Sequence, residues 1–310
     1  MNAVFQQGGN GRINLRYAPA APPAIAADTV LIRVELAALE CVDIHEMVTL
    51  PAPVRNLIPG CQAAGTVEAI GSAVTQFAVG DRVVGYHPGG AFAELFAVPE
   101  ATVWHLPEGM DPAFGAAVPH AFASAHAALF RGNGLKAGDT VLINGVTSAT
   151  GLVTLQMAAR AGARVIGIST DTAHSSDLGT FGLSRLVDKW EEDVLAACLD
   201  ASDGRGFEVI VDTGFGADYS TLSRLVVTGG RYASFHAYDH AAARFELVPI
   251  APAGPMGNPA IRGLVEEALQ RVARGELQIP VEYEFALCEA DEAWGFMLRG
   301  GVYGRVVLRP

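Results

Sequence analysis

The sequence predicts an α/β protein made of a β-rich domain and a doubly wound parallel sheet. In the first third of the chain, short strand-like runs are separated by Gly and Pro, which is typical of a barrel or a sandwich. Further along, apolar strands alternate with helices, and this pattern indicates a parallel sheet with helices on both faces. Two strand-like runs near the C-terminus are expected to return to the first domain. We therefore predict one domain at residues 1–115 and 256–310, and the other at residues 116–255.

The individual elements follow from apolar periodicity and from the Gly and Pro residues that interrupt it. In the first third the predicted strands are Val30–Leu36, Gly65–Ile70, Val79–Gly85 and Phe92–Val98. Further strands are predicted at Val141–Gly145, Arg164–Ser169, Glu208–Asp212, Arg231–Phe235, Val281–Leu287 and Gly304–Leu308. Helices are predicted at Ala113–Phe130, Leu152–Ala161, Tyr219–Val227 and Ile261–Arg274.

The composition excludes several classes of protein. Half of the 310 residues are hydrophobic and 17% are charged, which excludes disorder of the whole chain. The net charge of -12, with basic residues scattered along the chain, argues against nucleic acid or an anionic membrane surface as a partner. Apolar stretches are interrupted before they reach the roughly 20 residues of a membrane span. Met1–Asn10 lacks the apolar segment of a secretory signal. We expect a partner that is a small-molecule substrate.

The four cysteines are Cys41, Cys61, Cys198 and Cys288. They form no CxxC pair and no dense framework, which indicates reduced thiols in a cytoplasmic protein. Their wide spacing also excludes a structural zinc lobe built from four cysteines.

A turn between the first strand and helix of the parallel sheet is the candidate site for a dinucleotide. Such a turn needs backbone amides at a helix N-terminus and little side-chain bulk near the pyrophosphate. An ordinary strand-to-helix turn is the alternative. The candidate residues in this turn are Asn144, Gly145, Thr147, Ser148, Ala149, Thr150 and Gly151. Further candidates follow the later strands of the same sheet: Thr213, Gly214, Phe235 and His236.

The end of the next strand bears on the choice of cofactor. Sites for NAD usually place a carboxylate there to hold the ribose hydroxyls. This chain has Ser169 and Thr170, which leave room for a 2′-phosphate, and Asp171 follows them. No Lys or Arg is close in the sequence, and the nearest candidate for a basic group is His174. We predict NADPH as the preferred cofactor, with NADH as the alternative.

Five segments give the chain a resemblance to a known family. They are Pro59–Gly65, Val79–Val84, Gly90–Glu94, Leu135–Ile143 and Gly229–Arg231. In this order they resemble the medium-chain dehydrogenase/reductases, and most closely the zinc-independent quinone oxidoreductase and enoyl reductase branch. The resemblance implies a GroES-like catalytic domain, a Rossmann domain, an active-site cleft between them, NAD(P)H, hydride transfer, and commonly a homodimer.

The zinc-using members of that family supply a second set of candidates. Their three zinc ligands fall here on Glu40, Cys61 and His120, and Gln62 stands where they carry a Glu. Carboxylate, thiolate and imidazole are all chemically able to bind zinc. Against zinc, the structural lobe is missing and the overall resemblance is to a metal-free branch. We expect a metal-free protein, with a site at these three residues as the alternative.

The catalytic candidates are His45, His120 and Ser124. Hydride addition to a carbonyl or an enone builds negative charge on oxygen, so a side chain must stabilise that charge or supply a proton. His45 lies near the position of a proton-relay histidine in the family, and a solvent-facing histidine is the alternative. The tyrosine that the quinone and enoyl reductases often use is absent from residues 46–59.

The sequence therefore predicts a reductase that transfers hydride from NADPH to an activated C=C or C=O of a quinone, enone or enoyl substrate. Two alternatives stay open. One is a zinc-dependent alcohol dehydrogenase, and the other is an NADPH-binding protein without catalytic activity.

Overall fold

A computed structural model describes residues 1–8, 14–40, 42–43, 54–132, 134–214, 218–235, 244–251 and 256–310. The chain divides into two compact units. The first contains Met1–His120, Gly254–Arg299 and Arg305–Pro310, and the second contains Ala121–Ala253 and Gly300–Gly304. The predicted domain boundaries refer to parts of the chain that fold independently. They stay a prediction.

The strands in chain order are β1 (Asn2–Gly8), β2 (Leu15–Pro19), β3 (Thr29–Ala38), β4 (Val54–Leu57), β5 (Gln62–Ile70), β6 (Arg82–Tyr86), β7 (Leu95–Pro99), β8 (Val103–His105), β9 (Thr140–Asn144), β10 (Arg164–Ser169), β11 (Leu183–Asp188), β12 (Phe207–Asp212), β13 (Val226–Ser234), β14 (Glu246–Pro249), β15 (Tyr283–Ala286) and β16 (Val306–Arg309). The α-helices are α1 (Pro112–Ala117), α2 (Pro119–Phe130), α3 (Ala149–Arg160), α4 (Ser175–Thr180), α5 (Val194–Ala201), α6 (Tyr219–Leu222), α7 (Pro259–Ala273) and α8 (Ala290–Leu298).

The first unit is built on two sheets. A small sheet has the order β2-β1-β4, and a larger one has the order β15-β16-β3-β5-β6-β8, with β7 paired to β3. Except for the parallel pair of β15 and β16, the pairs of the larger sheet are antiparallel. Because β16 pairs with β3 and β3 pairs with β5, residues at the ends of these three strands come together from distant parts of the sequence.

The second unit is a six-stranded parallel sheet with the order β11-β10-β9-β12-β13-β14. This is the strand order of a dinucleotide-binding Rossmann fold, and the predicted fold class is confirmed. The central strand β9 is buried along its whole length, as expected for a strand covered on both faces. The hydrophobic core of this second unit includes Leu142, Ile166, Ile168, Val187, Cys198, Phe207, Ile210, Leu222 and Tyr232.

Helices α1 and α2 together form one long apolar helical stretch, Pro112–Phe130. This stretch of 19 residues has a mean hydropathy of 1.2, so its length and composition alone would allow it to cross a membrane. However, 78% of it is buried inside the protein. Such burial is what the core helices of a folded domain show.

Several elements of the second unit differ from the prediction. Strands β11 and β14 were missed because they are half exposed at the two edges of the sheet and lack a continuous apolar run. The helix predicted at Tyr219–Val227 is wrong in its second half. It ends as α6 and a short 3₁₀ turn at Ser223–Leu225, and the β-branched pair Val226 and Val227 begins β13.

Candidate functional site

The turn after β9 makes a tight bend that only glycine adopts without strain. Gly145 has a φ of +77°, and a Cβ on it would lie 2.5 Å from Oγ1 of Thr213. The amides of Gly145 and Val146 both donate to the carbonyl of Ile168, at 3.0 and 3.1 Å. The bend is therefore tied to the end of β10 and has no room for a side chain.

Ser148 begins helix α3 as its N-cap. Its hydroxyl accepts a hydrogen bond from the amide of Gly151 at 3.0 Å and donates one to the carbonyl of Gly145 at 2.8 Å. The same oxygen lies 3.1 Å from Oγ1 of Thr213, at the end of β12. A serine in the middle of the Gly-rich fingerprint thus holds the turn together. Its preference for the N-cap position was the sequence signal for this role.

Gly151 lets the helix approach the turn closely. A Cβ on Gly151 would lie 2.3 Å from the carbonyl oxygen of Gly145 and 2.9 Å from the backbone of Val146. Any side chain there would push the helix away from the turn. This close backbone approach is what a pyrophosphate-binding turn requires of its last glycine.

The first turn of α3 offers backbone amides to an anion. The helix has 12 residues, and Ala149 and Thr150 are its first two. N–H groups in a first turn have no partner within the helix, and the helix dipole adds positive charge there. The turn therefore fits the pyrophosphate of a dinucleotide, since it combines two glycines without space for Cβ with a helix N-terminus.

A polar network fixes the ends of the neighbouring strands. Asn144 donates from Nδ2 to Oδ1 of Asp212 at 2.7 Å, and the hydroxyl of Tyr232 donates to Oδ2 of the same carboxyl group at 2.7 Å. Burial raises the pKa of Asp212, although the hydrogen bonds from Tyr232 and Asn144 act in the opposite direction. The amide of Gly214 also donates to Asp212, at 3.1 Å. The network holds Asn144, Thr213 and Gly214 at the C-terminal ends of the neighbouring strands β9 and β12.

Ser169 lies at the end of β10, as predicted, but its side chain is buried. It is buried, its hydroxyl accepts from the amide of Asp171 at 3.0 Å, and it lies 3.3 Å from Oγ1 of Thr147. Ser169 and Thr147 therefore shape the turn from inside. Thr170 and His174 are only half-buried, and the His174 ring stacks on Tyr303 with centroids 3.8 Å apart.

A lysine that is distant from Ser169 in sequence follows the strand beside it. The amide of Lys189 donates to the carbonyl of Ser169 at 2.9 Å, because β11 pairs with β10. The ammonium group of Lys189 lies 2.6 Å from Oδ2 of Asp218. Sequence reasoning missed this residue because it missed β11, the strand that Lys189 follows.

The remaining predicted residues are placed only in part. Phe235 follows β13 and is half-buried. Ser124 is fully buried in α2. His45 and His236 lie outside the described residues, and so does Cys41. The site assignments made from the sequence stay predictions.

A second polar centre is buried in the first unit, around Glu40. Oε2 of Glu40 lies 2.6 Å from Nη1 of Arg305 and 3.5 Å from Nδ1 of His120. Nε2 of Gln62 donates to Oε1 of Glu40, and the amide of His120 donates to Oε1 of Gln62 at 3.0 Å. The four side chains are between 0% and 5% exposed. The Tyr86 ring lies parallel to His120, with centroids 6.1 Å apart.

The buried carboxylate of Glu40 has a counter-charge within the protein. Burial by itself raises the pKa of Glu40, but Arg305 foremost and then His120 hold it below its usual range. Burial raises the pKa of the Cys61 thiol well above its usual range, and the carboxylates of Asp43 and Glu40 raise it further. The thiol of Cys61 also hydrogen-bonds to the side chain of Asp43.

These residues do not fit a zinc ion. Both oxygens of Glu40 are already engaged, one by the guanidinium group of Arg305 and the other by the amide of Gln62. Among the described residues, no group of three His, Cys, Asp or Glu side chains is arranged to hold a metal ion. Zinc binding needs a deprotonated thiolate and unshared ligand atoms.

Comparison with known proteins identifies the fold as that of a two-domain dehydrogenase. Residues 26–108 match the family described as alcohol dehydrogenase GroES-like domain, and residues 181–308 match the one described as zinc-binding dehydrogenase. A quinone oxidoreductase of Pseudomonas aeruginosa is 28% identical over 273 residues, which is 84% of each chain. The chain belongs to the medium-chain dehydrogenase/reductase superfamily, and it is an oxidoreductase of that type.

Solved structures share the fold over its whole length. A quinone oxidoreductase from Pseudomonas syringae superposes with a TM-score of 0.88 at 24% identity, covering 100% of this chain and 99% of the other. The Escherichia coli quinone oxidoreductase complexed with NADPH superposes with a TM-score of 0.86 at 18% identity, covering 100% of both chains. At these identities the likeness shows the fold.

Proposed function

We propose that the protein is a reductase that uses NADPH to reduce an activated C=C or C=O. The observation that carries the proposal is the turn from Gly145 to Gly151, which has no space for a Cβ at either end and leads into the N-terminus of α3. Its place after the central strand of the parallel sheet is where this fold binds dinucleotides. The names of the relatives, quinone oxidoreductases and one of them in complex with NADPH, support the same cofactor and substrate class.

Different residues of the second unit bind different parts of the cofactor. The amides of Ala149 and Thr150 bind the pyrophosphate. Gly145 and Gly151 have no side chains, so the pyrophosphate can lie close to the backbone. Lys189 follows the strand beside Ser169 and pairs its ammonium group with Asp218; it is the proposed source of positive charge for a 2′-phosphate. When bound, NADPH supplies the hydride for the reduction.

The protein must also supply a proton, and His120 is the proposed donor. Its ring is oriented by Glu40 at Nδ1, and its backbone amide is held by Gln62. A carboxylate that faces one nitrogen of a histidine fixes the orientation of the ring. Quinones, enones and enoyl thioesters all accept hydride at carbon and develop negative charge on oxygen. Ser124 and His45 stay candidates for contacting the substrate, and a cytoplasmic homodimer stays the proposed setting.

The proposal is tested by titrating the protein with NADPH and with NADH, followed by nicotinamide fluorescence. NADPH is expected to bind more tightly than NADH. Gly151→Ala should abolish NADPH binding because the new Cβ clashes with the carbonyl oxygen of Gly145. Gly151→Val adds two more methyl groups and should also abolish binding. Gly179→Ala is the matched control, since a Cβ on this helical glycine meets nothing within 4 Å.

Each result has a definite meaning. If Gly151→Ala keeps the circular dichroism spectrum of the wild type and still binds NADPH normally, the turn is not the phosphate site. Tight NADPH binding without turnover of any quinone, enone or aldehyde would favour a non-catalytic binding protein. Turnover of alcohols only with added zinc would favour the zinc-dependent alcohol dehydrogenase.

A further inference from the structure

Arg305 is a buried cation at the start of the last strand. Its side chain is 5% exposed, and Nη1 donates both to the carbonyl of Leu39, at 2.7 Å, and to Glu40, at 2.6 Å. The strand pairing that places it there joins β16 to the end of β3, so Arg305 meets Glu40 across 265 positions of sequence. A guanidinium group buried this deeply needs an opposite charge beside it.

Glu40 needs a cation for the same reason. Its carboxylate is 1% exposed, and both of its oxygens are engaged, one by Arg305 and the other by Gln62. In the zinc-using members of the superfamily, the position of Glu40 holds a metal ligand. Here the cation beside this position is part of the chain.

We propose that Arg305 is the internal counter-charge of Glu40 and that this buried ion pair keeps the carboxylate from serving as a zinc ligand. One guanidinium neutralises one buried carboxylate. A divalent ion on the same carboxylate would lie next to a fixed positive charge that cannot lose its proton. The match of residues 181–308 to the zinc-binding dehydrogenases therefore does not extend to a zinc ion in this chain.

The contacts of the other two metal-site positions agree with this assignment. The thiol of Cys61 is turned toward Asp43, with which it forms a hydrogen bond. His120 directs Nδ1 toward Glu40, and Gln62, which stands at the family's Glu position, donates an amide to Glu40. Gln62 brings no negative charge, so Glu40 and Arg305 form a neutral pair.

A double-mutant cycle and a zinc measurement test the proposal on the full-length protein. Arg305→Met leaves the Glu40 carboxylate buried without a counter-charge. It should lower the equilibrium constant of folding by about 100-fold or more, as the loss of one partner of a buried ion pair does. Glu40→Gln combined with Arg305→Met should recover most of that loss, and Arg305→Lys should lose less than Arg305→Met. The readout is the midpoint of urea unfolding.

Zinc content is measured on wild type purified without chelators or affinity metals. The expected zinc content is far below one ion per chain, and added ZnCl₂ should leave the urea midpoint unchanged. Stoichiometric zinc that is lost in Cys61→Ala and His120→Ala would overturn the proposal. So would an Arg305→Met variant as stable as wild type, or a double variant no more stable than Arg305→Met. If Arg305→Met fails to fold, the double variant still decides, because it is expected to fold. These readouts do not depend on reductase activity.

Discussion

The amide of Lys189, which follows β11, donates a hydrogen bond of 2.9 Å to the carbonyl of Ser169 at the end of the neighbouring strand β10. The contact brings a lysine to the strand end where this fold distinguishes the two nicotinamide cofactors. Its ammonium group is already positioned by Asp218, at 2.6 Å. We propose this lysine as the basic group that favours NADPH, since the sequence shows none close to Ser169.

Lys189→Ala is expected to weaken NADPH binding by about 10-fold or more, because a hydrogen bond between charged groups is lost. NADH lacks the 2′-phosphate, so its affinity should change little. Fluorescence titration with both cofactors measures the difference. Lys136→Ala is the control, since it removes the other lysine of the chain from an exposed position. An equal loss for both cofactors would mean that Lys189 acts only on the fold.

Ser148→Ala is expected to destabilise the protein by about 1 kcal/mol, as the loss of an N-cap does, and also to weaken NADPH binding. The second effect follows because the Ser148 hydroxyl holds Gly145 and Gly151 in place. Asp193→Ala removes the N-cap of α5, where Oδ1 accepts from the amide of Ala196. This control should lose similar stability in urea and keep its affinity for NADPH. If both variants bind NADPH alike, Ser148 has no role beyond capping.

His120→Gln is expected to lower kcat by about 100-fold, the usual contribution of a positioned general acid, with NADPH affinity unchanged. His126→Gln is the control on the same helix and should keep its kcat. Steady-state rates with a quinone or an enone give the comparison. A kcat for His120→Gln within the range of the control would assign proton donation to another group.

Stability should depend on pH through Glu40. Its pKa is lower in the folded protein than the ordinary carboxyl value of 4.5, so its contribution is present above that value. The contribution is lost as the pH falls through the folded pKa. The stability difference between wild type and Glu40→Gln should therefore shrink on acidification below 4.5. Glu284→Gln, which breaks a half-exposed pair with Arg309, should show little difference at any pH. A Glu40→Gln difference that does not depend on pH would contradict the ion pair.

The sequence allowed the fold class and the strand-turn-helix around Gly145 and Gly151 to be predicted because both depend on local patterns. A short apolar run followed by Gly145 and Gly151 predicts a strand, a turn and the start of a helix from the local sequence alone. The edge strand β11 alternates too weakly to be recognised, and Lys189 was missed with it. The strand order that places β11 beside β10 is a property of the whole sheet.

The centre around Glu40 shows a different limit. Glu40, Cys61 and His120 were singled out from the sequence as residue types that can bind a metal, but their partners in the fold decide what they do. Arg305 reaches Glu40 only because β16 pairs with β3, and no local pattern joins residues so far apart in sequence. A ligand-capable residue type is visible in the sequence, whereas the neutralising charge is visible only in the folded protein.

We propose that the turn from Gly145 to Gly151 serves a catalysed reduction by NADPH. The most direct measurement is the loss of NADPH absorbance when purified protein is mixed with a panel of quinones, enones and enoyl thioesters, with Gly151→Ala and Gly179→Ala measured alongside. Substrate-dependent oxidation of NADPH by wild type and by Gly179→Ala, but not by Gly151→Ala, is the predicted result. Oxidation at the same rate by all three proteins, or by none of them across the whole panel, would contradict it.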